Sequence, residues 1–201
     1  WRGSSGEGDA ERREVMFVER GWREMHGRWF TGAYDEVGTE VRLRRVGREV
    51  VVAGLHPATL RTGASGREVR IYGANLPADL DPSDLDLGPG VTVRSVDEAG
   101  SGEARVVVDV ASGAAPGRRD VYVGGVAHPG ALVVYDRIHS IRVEPHTGMA
   151  RIGGERFPKE HEYFRAIGFQ NGPDGQPGTE DDVRVGPVPV DWSLAEYPVT
   201  Y

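Results

Sequence analysis

The chain has 201 residues with 24 basic and 31 acidic side chains, a formal charge of −7, 29 glycines, 13 prolines and no cysteine. The two signs are interspersed, which excludes broad electrostatic attraction to nucleic acid or an anionic membrane, and no apolar stretch reaches transmembrane length. Without cysteine there is no disulfide, thiolate metal site, Cys nucleophile or C-x-x-C-H attachment of haem.

Short runs of β-branched residues between glycines and prolines predict an all-β protein of antiparallel barrel or sandwich domains. The opening WRGSSGEGDAERRE is polar and lacks the apolar core of a secretory leader, so the chain is expected to begin inside a longer polypeptide. Residues 1–52 then offer antiparallel strands at MFV (16–18), GRWFTG (27–32) and EVRLRRV (40–46). In the last, Val41, Leu43 and, with a bulge, Val46 should face inward and Arg42 and Arg44 outward. Glu11 to Glu24 is charged enough for a helix, but Gly21 and its β-branched residues argue against one. Three or four strands without a partner sheet are marginal alone, so this piece reads as the C-terminal part of a β domain.

Residues 53–135 read as a complete domain. HPATLRTG (56–63) is turn chemistry, and Val69 and Ile71 share one face of the strand EVRIY (68–72). Gly73 and Asn75, both tolerant of bulges or positive φ, should break that strand. Further strands are predicted at 91–96, 103–110 and 118–123. About seven short strands with regularly spaced turns fit an immunoglobulin-like sandwich. The segment from Pro57 to Pro77 resembles the opening of bacterial immunoglobulin-like domains of the transcription-factor (IPT) type.

Residues 136–201 read as the start of a further immunoglobulin-like β domain. Ile138, Ile141 and Val143 suggest its first strand, and Tyr163 to Phe169 its second. Val183–Val185 and Val188–Trp192 follow an acidic loop, and because Pro187 and Pro189 cannot donate to a ladder, the last strand should lie at an edge or begin late.

Few residues carry a chemical signal. Asp174, Glu180, Asp181 and Asp182 resemble a calcium loop in composition, but the spacing departs from an EF-hand, and Asp-Gly and Pro-Gly are ordinary turn formers. A solvated turn is the expectation. The histidines at 26, 56, 128, 139, 146 and 161 show no ligand spacing, although His139 and His146 could meet across the turn between them. Ser65 lacks a nucleophile elbow, and Gly63, Gly66 and Gly73 lack the strand-then-helix setting of a phosphate cradle. Met16, Met25 and Met149 are expected in cores. Trp22, Trp29, Phe30, Tyr34 and Trp192 are candidate docking aromatics, with Trp29 and Trp192 expected to be core residues instead. No residue is assigned a catalytic, cofactor-binding or metal-binding role.

Three stretches in order carry a family resemblance. GRWFTGAYDEVG (27–38) resembles the later part of the second domain of the α subunit of quinohaemoprotein amine dehydrogenase, and residues 53–135 resemble its third domain. GMARIGG (148–154), GPDGQPGTEDD (172–182) and Trp192 resemble the start of its fourth. The resemblance implies a haem c-bearing cytochrome domain elsewhere in such a subunit. It also implies a small partner subunit whose tryptophylquinone oxidises primary amines to aldehydes and ammonia in the periplasm. The expectation is a non-catalytic region that holds no cofactor and docks the other subunits of the complex. The alternative is an extracellular immunoglobulin-like module for adhesion or polysaccharide. C-x-x-C-H motifs in the parent protein would mark the first, and further sandwich repeats or a wall anchor the second.

Overall fold

The computed structural model describes residues 2–5, 12–31, 39–148, 154 and 162–194. Among the described residues there are fifteen strands and one 3-10 turn, and no helix long and apolar enough to cross a membrane. The fold is all-β. The chain divides into two compact units, residues 1–51 with 145–164 and residues 52–144 with 165–201.

The first unit holds an antiparallel meander of β1 (Arg2–Ser5), β2 (Arg12–Val18), β3 (Glu24–Thr31) and β4 (Thr39–Arg44). β1 lies within the opening polar segment, which carries no periodic strand signal. It forms because β2 offers an edge and the ladder from Arg2↔Val15 to Ser5↔Arg12 satisfies its backbone. Met16 is fully buried opposite Gly27, where any Cβ would collide with the Val15 carbonyl. Glycine is therefore required there. Val41 is half-buried, but Leu43, expected inward, is 40% exposed. The β2–β3 hairpin closes with Glu19 N–H donating to the Glu24 carbonyl (3.0 Å) and Trp22 N–H to the Glu19 carbonyl (3.1 Å). Both Gly21 (φ 95°) and Trp22 (φ 58°) occupy the left-handed region.

The second unit contains a two-sheet sandwich. One sheet has the order β5 (Val51–His56), β7 (Arg67–Ala74), β10 (Glu103–Val110), β9 (Val91–Ala99). The other runs β6 (Thr59–Arg61), β12 (Val126–Tyr135), β11 (Gly117–Val123), β8 (Leu85–Asp86). Period-2 alternation builds the core directly: Ala104, Val106, Val108 and Val110 point inward from β10, Val69 and Ile71 from β7, Val121 and Val123 from β11, and Leu132 and Val134 from β12. The chain changes sheets at the cis His56–Pro57 bond, after which β6 pairs parallel with β12 through Leu60↔Val134. β7 ends where expected, with Asn75 at φ 54° and Leu76 N–H donating to the Ser101 carbonyl.

A third sheet, β13 (Ser140–Glu144), β14 (Arg165–Gln170) and β15 (Val183–Pro187), belongs to the same unit. β15 lies at the sheet edge, but the segment 188–192, expected to be a strand, has no strand structure. Pro187 and Pro189 deprive that segment of alternate ladder donors. The connection from the sandwich is held from both sides. Arg61 Nε donates to the Asp136 carbonyl (2.8 Å) and Thr62 Oγ1 to Asp136 Oδ1 (3.2 Å), while buried Gln170 Oε1 accepts the Asp136 N–H at 2.7 Å and the Arg137 N–H at 3.4 Å. Gly168 packs closely under Ile138 and Val188.

Candidate functional site

The acidic loop between β14 and β15 spends its carboxylates on its own backbone. Asp182 accepts the Gly172 N–H (3.2 Å) and the Gly178 N–H (2.6 Å), and Asp174 Oδ1 accepts the Gln176 N–H (2.8 Å). Asp181 accepts the Thr179 hydroxyl (2.7 Å) and, at 3.4 Å, the Asp174 N–H. The Thr179 hydroxyl, before the backbone N–H groups, holds the Asp181 carboxyl below the usual carboxylate range against a smaller opposing effect of burial. Asn171 Nδ2 donates to the Gly175 carbonyl (2.7 Å). At Gly172 a Cβ would collide with the Asp181 carboxylate, so the loop closes only with glycine there. Glu180 is exposed. Among the described residues no three His, Cys, Asp or Glu side chains form a metal-binding group. The arrangement is that of a hydrogen-bonded turn.

The histidines are dispersed. His26 stacks on Phe17 (5.7 Å between centroids, 23° between planes) and lies 3.7 Å from Glu19. His56 precedes the cis proline, and His128 sits on β12 opposite Val121. His146 is exposed, and His139 Nδ1 accepts the Asn171 N–H at 3.0 Å. That bond places the proton of the neutral ring on Nε2. His161 lies outside the described residues.

Ser65 belongs to a structural clamp. Its hydroxyl accepts from Arg94 (3.2 Å), Arg94 also pairs with Asp109, and Asp109 Oδ1 accepts the Gly66 N–H (2.8 Å). That backbone donor is the first cause holding the Asp109 carboxyl below its ordinary range, with Ser65 and Arg94 adding to it against a counter-effect of burial. Gly63 and Gly66 supply positive φ to the same loop, and Gly73 lies within β7, so no phosphate cradle forms.

The aromatic set corrects one expectation. Trp29 and Trp192, expected in cores, are 48% and 57% exposed. The Trp29 indole N–H donates to Glu14 Oε2 (2.9 Å) across the β2–β3 ladder, so the ring is held at the sheet surface by a polar partner. Aliphatic side chains, Met16 and Phe169 fill the cores instead. Trp22 is 75% exposed at the tip of the β2–β3 hairpin. Nothing is described of the Phe30 side chain, and Tyr34 and Met149 lie outside the described residues. Exposed Phe17, Tyr163 and Leu194 were not singled out by the sequence. For Phe17 the signal was available, since strand alternation turns it outward once Met16 faces in.

These residues do not fit a covalently attached haem c. The sequence offers no thiol for covalent attachment, and Met16 is enclosed beneath Gly27. Two open concavities lie on the β1–β4 sheet. One, of about 780 Å³, is lined by Phe17, His26, Arg28, Glu40 and Arg42; the other, of about 630 Å³, by Arg23, Arg44, Arg45 and Val46 among others.

Family comparisons cover the chain in three consecutive matches. Residues 1–46 match quinohemoprotein amine dehydrogenase, alpha subunit domain II; residues 48–136 match domain III; and residues 141–200 match domain IV. No curated protein matches the chain. With the second, third and fourth domains following one another in order over nearly every residue of an all-β chain, it belongs to the quinohaemoprotein amine dehydrogenase alpha-subunit family.

Proposed function

We propose that this chain is the non-catalytic β-domain region of the haem-bearing α subunit of a periplasmic quinohaemoprotein amine dehydrogenase. Its role is to hold the quinone-bearing and other subunits in place while primary amines are oxidised to aldehydes and ammonia. The observation that carries this reading is the unbroken succession of three α-subunit domains. Its division is 1–52 as the end of one β domain, 53–135 as a sandwich and 136–201 as the start of another. Within this segment no residue is assigned to catalysis, cofactor or metal. Haem c and the tryptophylquinone reside in another domain and in a partner subunit. Exposed Trp22, Trp29, Phe17 and Trp192 support a docking role, because large aromatics at a surface contribute most where a partner desolvates them.

The test is size-exclusion chromatography and calorimetry of the 201-residue chain with a purified quinone-bearing subunit of this enzyme class. Stoichiometric co-elution is expected, together with no amine turnover by the chain alone. Failure to bind any subunit, combined with saturable binding to a surface polysaccharide, would instead favour an extracellular binding module.

A further inference from the structure

We infer that the tip of the β2–β3 hairpin is the docking anchor of this region, with Trp22 as the inserted side chain and the arginines beside it as the ring that selects an acidic protein surface. The inference rests on the docking role proposed above and names the patch that performs it.

Two independent features converge on Trp22. It is 75% exposed, leaving a large apolar ring in water, and it holds φ 58°. A bulky side chain in the left-handed region is an outlier that a free choice of sequence would replace by Gly or Asn. The hairpin nonetheless fixes this geometry by its Glu19–Glu24 and Trp22–Glu19 backbone bonds. A residue unfavourable for both conformation and solvation is explained when a partner covers it.

The adjacent chemistry identifies what kind of partner. Arg45 N–H donates to the Arg23 carbonyl (2.7 Å), which brings the edge of β4 alongside the hairpin. Arg23, Arg44 and Arg45 line the 630 Å³ concavity next to Gly21. None of these three guanidinium groups forms an ion pair within 4.0 Å among the described residues. The acids nearby are partly engaged. Glu19 faces His26 at 3.7 Å, and Glu49 accepts the Gly47 N–H at 3.2 Å, its carboxyl held low by backbone N–H groups first and by Arg44 last. Glu24 stands opposite Arg44 in the ladder. Arg23 and Arg45, forked donors with no carboxylate within 4.0 Å among the described residues, on a chain whose net charge is −7, fit a protein surface that presents carboxylates around an apolar socket.

The experiment uses the full chain and the purified quinone-bearing subunit as probe, with Trp22→Gly and Arg23→Glu/Arg45→Glu as variants. Trp22→Gly is expected to raise the melting temperature, because glycine removes the left-handed penalty, while weakening binding about tenfold or more. The charge reversal is expected to weaken binding similarly, and the wild-type affinity to fall as salt rises. Wild-type binding that both variants leave unchanged would overturn this patch while sparing the docking role. No wild-type binding at all would overturn the docking role and this assignment with it. Stronger binding to a sulfated polysaccharide than to the subunit would overturn the protein partner.

Discussion

Replacing Gln170 by leucine tests how the third sheet is fastened to the sandwich. Gln170 is 8% exposed, and its Oε1 is the acceptor for two successive backbone N–H groups of the connection, at 2.7 and 3.4 Å. Leucine keeps most of the volume and removes the acceptor. The shorter bond, to half-buried Asp136, is the one that counts, because Arg137 is exposed and its N–H can turn to water. A buried donor left unsatisfied costs about 1–3 kcal/mol, and partial hydration of this one places the expected loss at about 1–2 kcal/mol. Urea denaturation reads that loss as a lower midpoint at unchanged slope. Trypsin reads it locally, since Arg137 supplies a cleavable bond that the intact clasp protects. An unchanged midpoint together with an intact Arg137–Ile138 bond in Gln170→Leu would refute the clasp.

Strand alternation in β7 predicts that Ile71→Ala, at a fully buried site, destabilises by about 2–5 kcal/mol, and that Tyr72→Ala on the opposite face costs less than about 1 kcal/mol; urea denaturation of the pair would show a reversed order if the register were wrong. Asp109 has a lowered folded-state pKa, so its contribution is present above its unfolded value and disappears as the pH falls below about 4. Asp109→Asn should therefore lose stability at pH 7 and show a smaller drop in melting temperature between pH 7 and pH 3 than wild type. Millimolar calcium should leave the melting temperature unchanged, because the loop carboxylates are already held by backbone donors; a rise of several degrees, abolished by Asp181→Ala, would establish an ion site.

Local periodicity made much of this fold legible. β10 alternates strictly from Glu103 to Val110, and its four inward residues are all buried. The break after β7 was readable from Gly73 and Asn75, because few residues accept the φ that Asn75 adopts. The parallel pairing of β6 with β12 was not readable, since it joins segments some seventy residues apart and nothing local encodes it. β14 was legible as a strand, expected at 163–169 and found at Arg165–Gln170, but its burial on both faces was not. Ala166 to Gln170 are all buried, because Ile138 and Val188 cover Gly168 on one face while Arg142 lies 4.6 Å over the Phe169 ring on the other. Alternation vanishes when both faces are covered. Trp29 and Trp192 show the limit of residue type alone: an indole suits a core or a surface, and the polar partner that decides, Glu14 for Trp29, sits on another strand.

The most direct measurement is made on the native parent protein, isolated through an antibody against this segment and assayed spectroscopically with a primary amine. The account predicts that the isolated complex carries haem c bands that become reduced on addition of the amine, with release of aldehyde and ammonia. A haem-free protein that leaves the amine unchanged would contradict it.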